Sequence, residues 1–246
     1  MEGTAVVTGA SSGIGAATAV ALRAVGFDLV VVARRADRLA EVAEPIGART
    51  EVLDVTDRDA VDDLARRLEG ETVRVLVNNA GGAHGVGPIA EAVDEHWRTM
   101  WETNVMGLMY MTRALLPHLE SSGDGIVVNV GSIASFEVYE GGAGYTAAKH
   151  AVRAITKTLR LELLGRPVRV VQVDPGMVET EFSVVRLGSD EAAARVYRGM
   201  TPLHAADVAE CIAFCATRPS HVCIDELIVR PRDQAAAQRV ARTPDP

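Results

Sequence analysis

The stretch TAVVTGASSGIGAATAVALRAVG, residues 4–26, runs from a short apolar segment through a glycine-rich turn into a helix of small residues. A nearly continuous apolar run such as TAVVT (4–8) is what a strand shows when both of its faces are covered. The turn TGASSGIG (8–15) follows it directly. Gly9 permits a tight turn, Gly13 lets backbone amides approach a pyrophosphate, and Gly15 lets the helix pack closely on the strand. The turn aims the positive end of a helix at an anion, with Ser11, Ser12 and Ile14 in the same cradle.

Working outward, the same alternation continues to the end of the chain. Apolar runs recur at 28–33, 50–55, 73–78, 125–130 and 168–173, with a seventh candidate at 224–230. Helical patterns lie between them at 14–25, 36–43, 57–68, 91–119, 145–164 and 206–216. Alternation of this kind predicts an α/β chain with right-handed crossovers. The expected architecture is a Rossmann fold: one doubly wound parallel sheet of about seven strands with helices on both faces. At 246 residues and 48% apolar content, one core is sufficient. We therefore expect a single domain over 1–232, followed by a poorly packed tail, DQAAAQRVARTPDP, at 233–246.

Composition narrows the partners. A net charge of −8 without any run of Lys or Arg argues against nucleic acid or an anionic membrane surface. The first residues, MEGTAVVTGA, lack a charged segment followed by an apolar one, and no apolar run approaches the ~20 residues a bilayer requires. A cytoplasmic location is expected. The six His are scattered, so no metal is assigned. Cys211, Cys215 and Cys223 form no CxxC pair and read as reduced core thiols.

The ends of the strands carry the chemistry. A dinucleotide with free ribose hydroxyls calls for an acid at the tip of the second strand, but that strand ends VVARR. Arg34 and Arg35 suit a 2′-phosphate instead, so NADP (NADPH) is the expected cofactor. Asp54 and Val55 end the third strand, where Asp54 can accept from an adenine amino group. Asn79, Ala80 and Gly81 of NNAG follow the fourth. Ser132 lies just past the fifth. In YTAAK (145–149), Tyr145 and Lys149 stand four residues apart and share a helix face, which puts an ammonium beside a phenol.

With TGASSGIG, NNAG, Ser132 and YTAAK in this order, the chain resembles the short-chain dehydrogenase/reductase family over roughly residues 3–232. That resemblance implies a catalytic set of Asn104, Ser132, Tyr145 and Lys149. Tyr145 is the expected proton carrier, its pKa lowered by Lys149 together with the positive nicotinamide ring. Ser132 orients the substrate oxygen, Lys149 also holds the nicotinamide ribose, and Asn104 supports a water leading to Lys149. DPGMVET matches the family's loop beside the nicotinamide, with Pro175 and Gly176 against the ring and Val178 and Thr180 at its carboxamide.

Segments nearer the C-terminus, TEFSVVRLGSD, ADVAECIAF and RPSHVCIDELIVRP, are similar to an NADP-dependent branch that includes serine and 3-hydroxy acid dehydrogenases and typically forms homotetramers. The expected substrate is a small secondary alcohol or its carbonyl, such as a short 3-hydroxy acid or a serine-like compound. Arg186 is a candidate grip for its carboxylate. Glu137 and Glu140 are candidates to face the substrate and would oppose such a group. Two alternatives stay open: a reductase of neutral ketones, diketones or acyl thioesters, and an NADP(H)-sensing protein without turnover. Trp97, Trp101, Met106, Met109 and Met111 form a stripe read as a subunit contact.

Overall fold

The computed structural model describes residues 2–243. Its frame is a seven-stranded sheet made of β1 (Thr4–Thr8), β2 (Asp28–Ala33), β3 (Arg49–Val52), β4 (Val73–Asn78), β5 (Gly125–Val130), β6 (Val168–Pro175) and β7 (Glu226–Val229). The strand order is β3-β2-β1-β4-β5-β6-β7, and every pairing is parallel. Order reverses between β1 and β4, which opens a crevice at their carboxyl ends.

Helices cover both faces, and the strands show why. Successive residues of β1 enter different cores: Ala5 and Val7 pack with α1 (Gly13–Ala24) and α9 (Ala205–Ala216), while Val6 packs with α3 (Arg58–Arg67) and α5 (Gly107–Ser121). The inner strands β2, β1, β4, β5 and β6 bury both of their faces, so their apolar runs are continuous rather than alternating, while the edge strands β3 and β7 stay partly exposed. The expected single α/β domain is the one observed. The third strand is shorter than its apolar run, because past Val52 the chain turns where Asp54 Oδ1 accepts from the Thr56 amide at 3.0 Å and its hydroxyl at 2.9 Å.

Two elements differ from expectation. The helix expected over 91–119 is broken into α4 (Asp94–Trp101), a π turn (Glu102–Met106) and α5. The cause is Asn104, whose Nδ2 donates to Met100 O at 2.7 Å and so takes the carbonyl an α-helical amide would use. The second correction concerns the C-terminus. Instead of a loose tail, residues 233–243 double back as a hairpin of β8 (Gln234–Ala236) and β9 (Arg239–Val240), with Gln234 buried and the Thr243 amide donating to Gly199 O at 2.7 Å. Residues 244–246 of the expected tail lie outside the described residues.

The thiols also divide. Cys215 is buried, and that burial pushes its pKa up to about 11, but Cys223 is exposed rather than part of the core. Met111 is wholly buried, so it belongs to the core and not to an outward stripe. No helix among the described residues is long and apolar enough to cross a membrane.

Candidate active site

The crevice at the switch point opens into a cavity of about 570 Å³. All the residues expected to hold a cofactor line it except Gly15. A Cβ at Gly15 would lie 2.4 Å from Gly9 O and 2.5 Å from Asn79 Nδ2, so this glycine serves the close packing of α1 beneath the turn. Gly9 (φ +65°) and Gly13 (φ +54°) both adopt the left-handed conformation that side chains resist. Ser12, at the N-cap of α1, makes no side-chain cap bond, which leaves first-turn amides available to an anion. Asn79 ties the fourth strand to the turn, its Nδ2 donating to Thr8 O at 2.9 Å.

The two arginines sit differently. Arg35 fans across the turn, donating to Ser11 Oγ (3.1 and 3.2 Å), Ser12 Oγ (2.8 Å) and Glu181 Oε2 (2.9 Å). Arg34 is more exposed and reaches Asp54 Oδ2 at 3.4 Å. Burial works against the Asp54 charge, but the Thr56 bonds and Arg34 hold its carboxyl below the usual range. The donor set, a helix N-terminus, two hydroxyls and two guanidiniums, fits a phosphorylated dinucleotide.

Deeper in the crevice, Ser132 starts a tight turn after β5, and its hydroxyl accepts from the Ala134 amide at 3.1 Å. Tyr145 and Lys149 come from the first turns of α6 (Ala143–Glu162). Both are buried. Burial raises the Tyr145 phenol above its ordinary pKa, while a hydrogen bond with Ser132 and the charge of Arg186 act in the opposite direction. Burial depresses Lys149 to about 8, against the pull of Asp174. The expected lowering of the phenol by Lys149 is not what the protein alone supplies. Lys149 Nζ lies 5.9 Å from the Tyr145 ring centroid and donates to Val130 O at 2.9 Å, so sharing a helix face did not bring ammonium and phenol oxygen into contact.

Asn104 does not line the cavity. Its amide is committed to Gly82, donating to Gly82 O (2.9 Å) and accepting from Gly82 N (3.3 Å), and to Met100 O. A Cβ at Gly81 would meet Asn104 Oδ1 at 2.5 Å and Lys149 Nζ at 3.8 Å, so both polar groups close on that glycine.

The outer half of the cavity is walled by Tyr139, Phe182, Arg186 and Tyr197. Arg186, in α7 (Glu181–Leu187), donates to Tyr139 Oη at 2.9 Å and to Gly85 O at 3.4 Å, and its guanidinium stands 5.6 Å from the Tyr145 ring centroid. These partners are neutral, and no carboxylate among the described residues offsets its charge. Glu137 was expected to face the substrate, and the structure corrects this. Its carboxylate accepts from Arg230 Nη2 at 2.5 Å and from the Ala237 amide at 2.6 Å, pinning the C-terminal hairpin against the site. Glu140 is exposed and contributes only its carbonyl, to Gln238 Nε2.

Several residues went unread in the sequence. Gln234 Oε1 accepts from the Met177 amide at 2.8 Å, and the hairpin tip, Ala237 and Gln238, lines the cavity. Asp174 accepts from the Ser132 amide at 2.7 Å and from Gln172 at 2.8 and 2.9 Å, from beneath the site. Polar residues in an otherwise apolar strand, VRVVQVDP, were the available signal for it. For the walls the signal was scarcity: the chain has four Tyr, and three of them, Tyr139, Tyr145 and Tyr197, line this cavity.

An anion cradle and a Ser-Tyr-Lys cluster opening onto one crevice define an oxidoreductase built on a dinucleotide-binding fold. The model of the family described as short chain dehydrogenase matches residues 3–188. An uncharacterized oxidoreductase of Mycobacterium tuberculosis is 62% identical over 98% of this chain and 95% of its own. Sulfoacetaldehyde reductase 2 of Chromohalobacter salexigens is 43% identical, with 96% of each chain covered. Among solved structures, the closed form of a serine dehydrogenase complexed with NADP+ superposes with a TM-score of 0.92 at 37% identity, covering 98% of this chain and all of that one. The chain belongs to the short-chain dehydrogenase family and is an oxidoreductase.

Proposed function

We propose that the protein is an NADP(H)-dependent oxidoreductase interconverting a small secondary alcohol or primary alcohol and its carbonyl, on substrates that carry a carboxylate or similar anionic group. The bound nicotinamide supplies or accepts the hydride. Tyr145 carries the proton between the substrate oxygen and solvent, and Ser132, hydrogen-bonded to it, holds that oxygen in line. A buried neutral phenol is suited to donate in the reducing direction. Lys149 holds the nicotinamide ribose from the floor of the crevice, and Asn104 positions it by fastening the Gly81–Gly82 backbone. Arg34 and Arg35, with Ser11 and Ser12, take the 2′-phosphate, in keeping with the NADP+ held by the serine dehydrogenase of similar structure.

The observation that carries the substrate class is Arg186, a guanidinium without an ion-pair partner among the described residues, standing 5.6 Å from the Tyr145 ring centroid. A guanidinium in the cavity wall with only neutral partners favours an anion that can be gripped bidentately. The relatives are named for sulfoacetaldehyde and for serine, two compounds that each carry an acidic group. The test is NADPH oxidation at 340 nm with short carbonyl acids and their methyl esters. Acids should be preferred, and Arg186→Ala should lower kcat/KM for the acid by roughly tenfold or more while leaving the ester nearly unchanged. Equal loss on both would move the assignment to neutral carbonyls.

A further inference from the structure

Glu181, the first residue of α7, places its carboxylate at the mouth of the phosphate cradle. It accepts from Arg35 Nη1 at 2.9 Å, hydrogen-bonds the Ser12 side chain, and lies 4.0 Å from Arg38 Nη2. The donors around it are a guanidinium already spread over Ser11 and Ser12, and a serine hydroxyl. That is the set a phosphate monoester would recruit. The contact joins residues 146 positions apart in sequence, bridging the tip of the second strand to the segment that walls the substrate pocket.

We propose that Glu181 is a cofactor-specificity residue that acts as an internal surrogate for the 2′-phosphate, occupying Arg35 until the phosphate displaces it. The proposal rests on the reading that Arg35 receives this phosphate. Both anions need the same guanidinium edge and hydroxyl, so they compete. The pair is nearly half exposed, with side-chain exposures of 48% and 42%, so it is weak enough for a group of about two charges to break. α7 also carries Phe182, 5.5 Å from the Tyr145 ring, and Arg186. Release of Glu181 thus frees the leading end of the segment that shapes the substrate pocket, and a cofactor without the phosphate leaves it latched.

The test uses 2′,5′-ADP, which carries the phosphate without the nicotinamide, and 5′-AMP, which lacks it. Binding is followed by calorimetry for the native protein, Glu181→Gln and Arg35→Ala. Glu181→Gln should tighten 2′,5′-ADP by about two- to fivefold and leave 5′-AMP unchanged. Hydrogen exchange across 181–187 should rise when 2′,5′-ADP binds the native chain and should be insensitive to it in the variant. Tightening of both ligands alike, weaker 2′,5′-ADP binding, or exchange in native 181–187 that ignores 2′,5′-ADP would overturn the surrogate role while leaving the phosphate assignment intact. If Arg35→Ala does not weaken 2′,5′-ADP relative to 5′-AMP, the phosphate assignment itself falls, and the surrogate with it.

Discussion

At the scale of single residues, the site is governed by what burial does to charge. Tyr145 is held as a neutral phenol, and its oxygen is the only proton carrier proposed at the reacting centre. Tyr145→Phe should therefore keep NADPH binding, measured by fluorescence titration, and lose about 10²- to 10⁴-fold in kcat. Retention of more than roughly a tenth of native turnover would move the proton carrier elsewhere. Beneath it, Asp174 is pushed up to about 6, mainly by burial, and shares a hydrogen bond with Glu226, a contact that calls for a proton between two carboxyls. A carboxyl whose pKa is raised on folding contributes stability below its unfolded value, and that stability is lost as pH rises through the folded one. The native chain thus carries a penalty above pH 6 that an uncharged amide would not. Gln172 Oε1, buried without a partner among the described residues, can accept from such an amide if its own amide turns over. Asp174→Asn should raise Tm relative to native at pH 8 by a few degrees, with a smaller gain at pH 5. A gain that is equal at both values would show that the carboxyl is ionised throughout.

At the scale of elements, two local rearrangements shape the site, and each traces to a side chain that claims a backbone group. Asn104 opens the π turn by taking the Met100 carbonyl, and the freed geometry lets the same amide hold Gly82. Glu137 captures the Ala237 amide and Arg230, and so turns a polar C-terminal segment into a wall of the substrate pocket. Charge-assisted bonds of this kind contribute on the order of 1.5 to 3 kcal/mol each when partly buried. Because the hairpin lies outside both cores, Glu137→Ala should loosen it without unfolding the sheet. We expect substrate KM to rise several-fold with little change in NADPH affinity and a small fall in Tm. A large cooperative loss in thermal melts with KM unchanged would mean the clamp serves stability instead.

At the scale of the whole molecule, apolar surface is left over. Trp97 and Trp101 on α4, Leu161 and Leu164 around the end of α6, and Ile228 on the edge strand β7 are all exposed, with Leu164 at 86%. Large exposed apolar side chains on neighbouring helices and an unpaired strand edge are features that association covers. We expect a closed homotetramer with one two-fold across α4, α5 and α6 and another across β7. Static light scattering at micromolar concentration should give the mass of four chains, and Trp101→Glu should lower it. A native monomer under those conditions would contradict the arrangement.

The alternation of strands and helices and the glycine turn were legible in the chain because each depends on short-range periodicity or on a residue type that few other backbone geometries demand, and the Ser132, Tyr145 and Lys149 set was legible through the order of its motifs and the family they resemble. Glu137, the hairpin, Glu181 and the pKa of Tyr145 were not. Each is settled by which groups meet across long separations, 100 residues between Glu137 and Ala237 and 146 between Arg35 and Glu181, and by how much water is left around them. A carboxylate's sequence neighbours do not say whether it will find an arginine, an amide or a substrate, and helical spacing does not say whether an ammonium will turn to a phenol or to a nearer carbonyl. Those choices come from desolvation, which penalises every unpartnered charge and exists only once the chain has packed.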